Sequence, residues 1–241
     1  MSTVRRISDV FCQWPSRPVG LIEIIGGSYI AIKPEVTYKR LISALLRSNF
    51  AVHSWSYIPN FDHQLQANYA WKQFRLSRNI LEKRVGIFPK LIRLGHSLGC
   101  KLHLLAPDGG RNCNGLVAIS FNNFKADKSI PMLREMSQKL NFQTEFSPSP
   151  FETLNLIKEH YEQINNLLIS FNNDNLDQNN LLLQSLKQRD LDKSEILQLD
   201  GNHLTPVSLG LRAKLIKSNS ESYLKYRIID LIVDKITHWN I

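Results

Sequence analysis

The chain has 241 residues, enough to bury a substantial core in one α/β domain. Its hydrophobic and charged fractions, 43% and 21%, exclude a disordered protein. The net charge of +9 comes from short scattered pairs such as Arg5–Arg6 and Lys83–Arg84; without a dense basic run or an aromatic-interleaved motif, it argues for a basic surface and against nucleic-acid binding.

In chain order, strand-like and helix-like segments alternate. Residues 1–9 carry no apolar stretch of a targeting signal. Residues 21–25 form a compact β-rich run that ends at Gly26-Gly27. Residues 36–47 read as a helix with Leu41, Leu45 and Leu46 on one face, and 50–57 as the next strand. A long helix is expected over 64–84, since Ala67, Ala70, Trp71, Phe74 and Leu81 follow helical spacing. A short buried strand at 91–94 runs directly into a helix at 98–106, which stops at Pro107-Asp108-Gly109-Gly110. Apolar strands are expected at 115–121, 167–171 and 195–199. An amphipathic helix over 223–237 closes the chain; it suits packing on a sheet, with peripheral membrane contact as the other reading.

This alternation predicts a mainly parallel sheet covered by helices on both faces, in a single domain spanning 1–241. The rhythm breaks over about 122–165. That interval holds an expected helix at 132–140, an extended piece at 142–146 and a second helix. The second helix opens with Ser149 as N-cap, Pro150 at the first position and Glu152 three residues after the cap. Its place between two core strands is that of a small helical cap over a site. No apolar run reaches the length of a membrane span. Three cysteines without disulfide spacing suggest a reducing, cytoplasmic setting. Cys100 and His103 lack the second pair of a zinc site, and no sequence feature calls for a metal or cofactor.

Gly95-His96-Ser97-Leu98-Gly99 is a G-x-S-x-G pentapeptide. An apolar strand leads into it and an apolar helix leaves it. This is the context in which a serine is held on a strained strand-to-helix turn, its Oγ raised above the sheet edge: the nucleophile elbow of the α/β-hydrolase fold. A merely structural serine in a glycine-rich turn is the alternative. In that fold the acid and then the histidine follow the serine along the chain. Asp174 lies just beyond the strand at 167–171, and His203 just beyond the strand at 195–199. His203 is the candidate general base and Asp174 the candidate acid that holds its tautomer. Asp177 is the rival acid. The oxyanion hole needs two backbone N–H groups, expected from Leu98 and from Gly27 or Ser28 in the turn after the first core strand. That turn also reads as a purely structural glycine turn. Tyr29, His96, Asp62, His63, Asn122 and Asn123 are candidates for the pocket wall. Asp62 as a helix cap and Asn122-Asn123 as a plain turn are equally good readings.

The segments Gly26-Gly27-Ser28 with Pro34, Thr37 and Tyr38, Asn60-Phe61-Asp62-His63, the pentapeptide itself, residues 119–123, residues 146–150 and residues 201–206 together resemble an uncharacterised α/β-hydrolase-like family of cyanobacteria and plastids, a domain of unknown function. The resemblance covers nearly the whole chain. It implies the hydrolase fold; it supplies no substrate, since some members carry only an esterase-like label by similarity. Two functions follow as expectations. One is a serine hydrolase acting through an acyl-enzyme on a small-molecule or lipid-like ester. The other is a non-catalytic binding or assembly factor on the same scaffold. Hydrolysis and acyl transfer are not distinguished by these residues, nor is an oligomeric state.

Overall fold

The computed structural model describes residues 3–28, 30–129, 145–208 and 219–241. The expected helix at 132–140, most of the extended piece at 142–146, and Tyr29 lie outside the described residues. Eight strands form one sheet: β1 (Thr3–Ile7), β2 (Val10–Trp14), β3 (Gly20–Ile25), β4 (Phe50–Trp55), β5 (Leu91–His96), β6 (Gly115–Ile119), β7 (Asn166–Asn173) and β8 (Glu195–Asn202). Their order is β1-β2-β4-β3-β5-β6-β7-β8. Strand β2 pairs antiparallel with both β1 and β4, and every other neighbouring pair is parallel.

Strands β1 and β2 are absent from the sequence reading. Arg5 and Arg6 interrupt any apolar alternation in β1, because it is the sheet edge and its charged residues face water. The six expected strands are all present.

Eight helices are described: α1 (Pro34–Thr37), α2 (Lys39–Arg47), α3 (His63–Val85), α4 (Leu98–Leu104), α5 (Ala126–Ser129), α6 (Pro150–His160), α7 (Asn179–Leu186) and α8 (Asn219–Thr237). The central strands are apolar on both faces and divide their residues with period two. Ile22 and Ile24 of β3, Val117 and Ile119 of β6, and Leu167 and Ile169 of β7 join α2 and α8 in one core. Ile25 faces the other side with α3 and α4, and Leu116, Ala118 and Leu168 pack there against α4, α6 and α7. Helices thus cover both faces, as expected.

The apolar stripe of α8 (Ile229, Ile232 and Ile236) is spent on the core. Among the described residues no helix is long and apolar enough to cross a membrane. The helix expected over 36–47 is two helices joined at Tyr38, whose backbone leaves helical geometry (φ −109°, ψ 19°) and whose side chain is fully buried. Helix α6 opens as its sequence predicts. Ser149 Oγ accepts the Glu152 N–H at 3.3 Å, and Glu152 Oε2 accepts the Ser149 N–H at 2.9 Å.

Candidate active site

The parallel strands all end on one edge of the sheet, where ligands of open α/β sheets sit. Strand β5 delivers Ser97 to that edge and α4 starts at the next residue. Ser97 adopts φ 56°, ψ −123°, a strained conformation for a residue with a side chain. The flanking glycines make the turn sterically feasible. A Cβ on Gly95 would run into the backbone of Cys100, and one on Gly99 into the carbonyl oxygen of Ile25. Strand and helix therefore approach more closely than any other residue allows at either position.

His203 follows β8. Its Nδ1 lies 2.9 Å and 3.1 Å from the two carboxylate oxygens of Asp174, which lies just past the end of β7. The Asp174 carboxyl is lowered from the ordinary Asp value. Burial pushes it up, but the hydrogen bond to His203, the neighbouring Ser120 hydroxyl and the Leu176 N–H (2.9 Å to Oδ1) outweigh that. Ser120 sits beside the carboxylate at φ 52°, although no hydrogen bond closes between the two in this rotamer. Asp177 is directed elsewhere. Its Oδ1 accepts the Asn179 N–H at 2.9 Å at the start of α7, and burial raises its carboxyl. Of the two candidate acids, the fold brings Asp174 to His203 and leaves Asp177 on a helix start.

Ser97 and His203 line the same cavity, of about 420 Å³. Leu98, Ser28, His63, Asn122 and Asn123 also line it. Among the described residues nothing accepts the backbone N–H of Leu98 or of Ser28. Of the two donors expected from that turn, the Gly27 N–H is committed to Tyr38 Oη at 2.9 Å, which among the described residues leaves the Ser28 N–H free. Asp62 does not line the cavity. Its side chain accepts the Leu65 N–H at 2.8 Å and caps α3, which resolves its two readings in favour of the cap.

His96 is fully buried behind the serine and does not line the cavity. Its Nε2 lies 2.9 Å from the carbonyl oxygen of His203 and its Nδ1 lies 2.8 Å from Tyr38 Oη. A carbonyl only accepts, so Nε2 carries the hydrogen and Nδ1 accepts the tyrosine proton. A chain results: the Gly27 N–H donates to Tyr38, Tyr38 to His96, and His96 to His203. Burial, and then the neighbouring His203, drives the His96 pKa down to about 3, so the ring is neutral and places no charge beside His203.

Asn123 is anchored from two sides. Its N–H donates to Gln178 Oε1 at 2.6 Å, and Nδ2 donates to Pro150 O at 2.9 Å. Asn122 Nδ2 reaches Leu176 O at 3.5 Å. Phe146, from the stretch 145–150, lines the cavity. The Ser147 N–H donates to Phe61 O and the Gln64 N–H to Ser147 O, which ties this stretch to the start of α3. Cys100 and His103 make separate contacts, to Ile119 O and Glu23 O, and do not converge.

Two site residues carried no assigned role in the sequence reading. Tyr38 is signalled only by its place among the resembling segments. Lys101, four residues after Ser97, is 1% exposed and lines the cavity.

Comparisons with known proteins agree with the fold. The chain superposes on an esterase from the fungus Rhizomucor miehei with a TM-score of 0.63 at 13% identity, covering 98% of this chain and 83% of that one. A carboxyl esterase from Tuber melanosporum matches with a TM-score of 0.62 at 15% identity, covering 99% and 87%. A monoacylglycerol lipase from Paleococcus ferrophilus matches with a TM-score of 0.57 at 14% identity, covering 93% and 98%. At such identities the likeness is one of fold, the α/β-hydrolase fold. No curated protein sequence matches the chain. The family described as a protein of unknown function, DUF1350, matches residues 3–222, and the chain belongs to that family.

Proposed function

We propose that this protein is a serine hydrolase that cleaves an ester or thioester through an acyl-enzyme. The observation that carries this reading is the pairing of His203 with Asp174 on the cavity that Ser97 also faces, with Ser97 strained on its elbow. In this reading Ser97 Oγ attacks the carbonyl carbon while His203 Nε2 takes the hydroxyl proton. Asp174 holds the Nδ1–H tautomer and balances the imidazolium. The oxyanion is received by the N–H groups of Leu98 and Ser28. Collapse breaks the ester bond, and the alcohol or thiol leaves with the proton from His203. A water molecule then gives its proton to His203 and attacks the acyl carbon, which releases the acid and restores Ser97.

The described side chains show no hydrogen bond between Ser97 Oγ and His203. Such bonds commonly tighten only once substrate excludes water, so its absence does not count against the pair. A fluorophosphonate probe tests the reading. Wild-type protein should label at Ser97, and Ser97→Ala and His203→Ala should not. A folded wild-type protein that takes no label would overturn the hydrolase and leave the scaffold as a binding factor.

A further inference from the structure

The cavity has a second polar wall that the proposed acyl chemistry does not use. Lys101 lies one helical turn beyond Ser97 on α4, about 6 Å along the axis. Its Nζ donates one N–H to Pro148 O at 2.9 Å and lies 5.8 Å from the Phe146 ring. An ammonium has three N–H donors. His63 lies across from it at the start of α3, 2% exposed, with its ring stacked on Phe146 at 4.2 Å. Among the described residues neither nitrogen of that ring has a hydrogen-bond partner. A buried imidazole without partners costs free energy, which a bound group with matching polarity recovers.

The electrostatics of the wall have one sign. The described lining of the cavity includes Lys101 and, at its rim, the exposed Lys128, but no carboxylate. Two acids approach Lys101 from outside the lining. Glu145 Oε1 is committed to the N–H groups of Ala126 and Phe146, and Glu152 Oε2 to the Ser149 N–H. They soften but do not cancel the effect of burial, which brings the Lys101 pKa down to about 7. Among the described residues no carboxylate forms an ion pair with Lys101, and a buried ammonium in that state favours an incoming anion.

We propose that Lys101 and His63 form a subsite for an anionic group of the substrate, a carboxylate or phosphate, so that the esters taken by this site carry a negative charge a short distance from the scissile carbonyl. That the anion belongs to a substrate rests on the hydrolase reading of Ser97; binding of the anion does not.

Matched ligand pairs test it on the full chain. Monomethyl adipate differs from methyl hexanoate only by a terminal carboxylate in place of a methyl group. 2-(Acetyloxy)ethyl phosphate differs from 2-hydroxyethyl acetate only by the phosphate. Calorimetric titration into Ser97→Ala, which keeps the cavity but not the nucleophile, should show the charged member of at least one pair binding about 10-fold tighter or more, about 1.4 kcal/mol. The pair that shows it identifies the anion. Adding Lys101→Met should abolish that preference and leave the neutral member unchanged. Equal binding of charged and neutral members in both pairs, or no binding of any at millimolar concentration, overturns the subsite. So does a folded Lys101→Met variant that keeps the preference. If Lys101→Met does not fold, the charge preference of Ser97→Ala alone decides. Retained anion preference in a protein that fails to label with fluorophosphonate overturns the hydrolase reading and leaves the subsite standing.

Discussion

His96, the residue before the serine, donates its Nε2–H to the backbone carbonyl of His203 at 2.9 Å. One ring thereby ties the end of β5 to the loop after β8, 107 residues further along the chain. The loop is held by its backbone, which leaves the His203 side chain to Asp174. The hydrogen bond requires a hydrogen on Nε2, the tautomer of the neutral ring that Tyr38 selects by donating to Nδ1.

Removing the Tyr38 hydroxyl should therefore cost more than one hydrogen bond. In Tyr38→Phe the Gly27 N–H and His96 Nδ1 are both left buried and unpaired, so the expected loss is about 1–3 kcal/mol. Urea unfolding at unchanged m measures it. Ester turnover should fall through kcat more than through KM, since the histidine loosens while the cavity wall is untouched. A variant as stable as wild type would break the account of this chain of hydrogen bonds.

The two aspartates should separate sharply. Asp174→Asn removes the group that fixes the His203 tautomer, and kcat should drop by about 10⁴-fold, as in other sites of this design. Asp177→Asn should change kcat less than about 10-fold and cost about 1 kcal/mol or less at the start of α7. Steady-state kinetics on any accepted ester decides. Comparable losses in the two variants would reassign the acid.

Beneath the site, Arg93 and Asp108 form a buried bidentate pair at 2.7 Å and 2.8 Å, each side chain 4% exposed. Burial pushes the Asp108 carboxyl up, but Arg93 overrides it and holds the group well below its usual 3.8. The pair's contribution is thus complete above about pH 4, where an unfolded aspartate is charged, and is lost as pH falls through the depressed value. Asp108→Asn strands the Arg93 charge and should cost about 3–5 kcal/mol at neutral pH. Below pH 4 the gap to wild type should narrow. Thermal unfolding as a function of pH tests both statements, and a gap that widens in acid would contradict them.

Gly99→Ala should prevent the elbow from closing. The added methyl meets the Ile25 carbonyl, which belongs to a central strand and cannot retreat. The expected penalty is about 3 kcal/mol or more. It should be visible as a lower unfolding midpoint or loss of soluble protein. Gly86→Ala is the control for glycine removal in general. No atom lies within 4 Å of a Cβ there, and only its φ of 88° is strained.

Much of this protein could be read from the chain because the relevant physics is local. Apolar runs of strand length alternate with helical spacing, and this determines six of the eight strands and the layers around them. The pentapeptide between a strand and a helix identifies Ser97; Gly95 answers a steric demand five residues away, at Cys100, whereas the demand on Gly99 comes from the Ile25 carbonyl of the neighbouring strand. Ser149, Pro150 and Glu152 likewise start α6 through contacts made in its own first turn. Strands β1 and β2 escaped because an edge hairpin needs little hydrophobic patterning. Its pairing partner in the sheet, β4, lies some forty residues away.

What tertiary structure alone decided are the choices that depend on where side chains converge. Nearness to the strand end favours Asp174 over Asp177 in sequence, but only the meeting of the ends of β7 and β8 brings the carboxylate to His203. Gly27 and Ser28 are adjacent donors, and Tyr38, arriving from the break between two helices, occupies one. Lys101 carries no signal of burial in the sequence. Its position four residues beyond Ser97 puts it inside, because α4 starts at the residue after the serine and is buried along its whole length. Charge, burial and partnership are properties of a neighbourhood, and distant parts of the chain compose that neighbourhood.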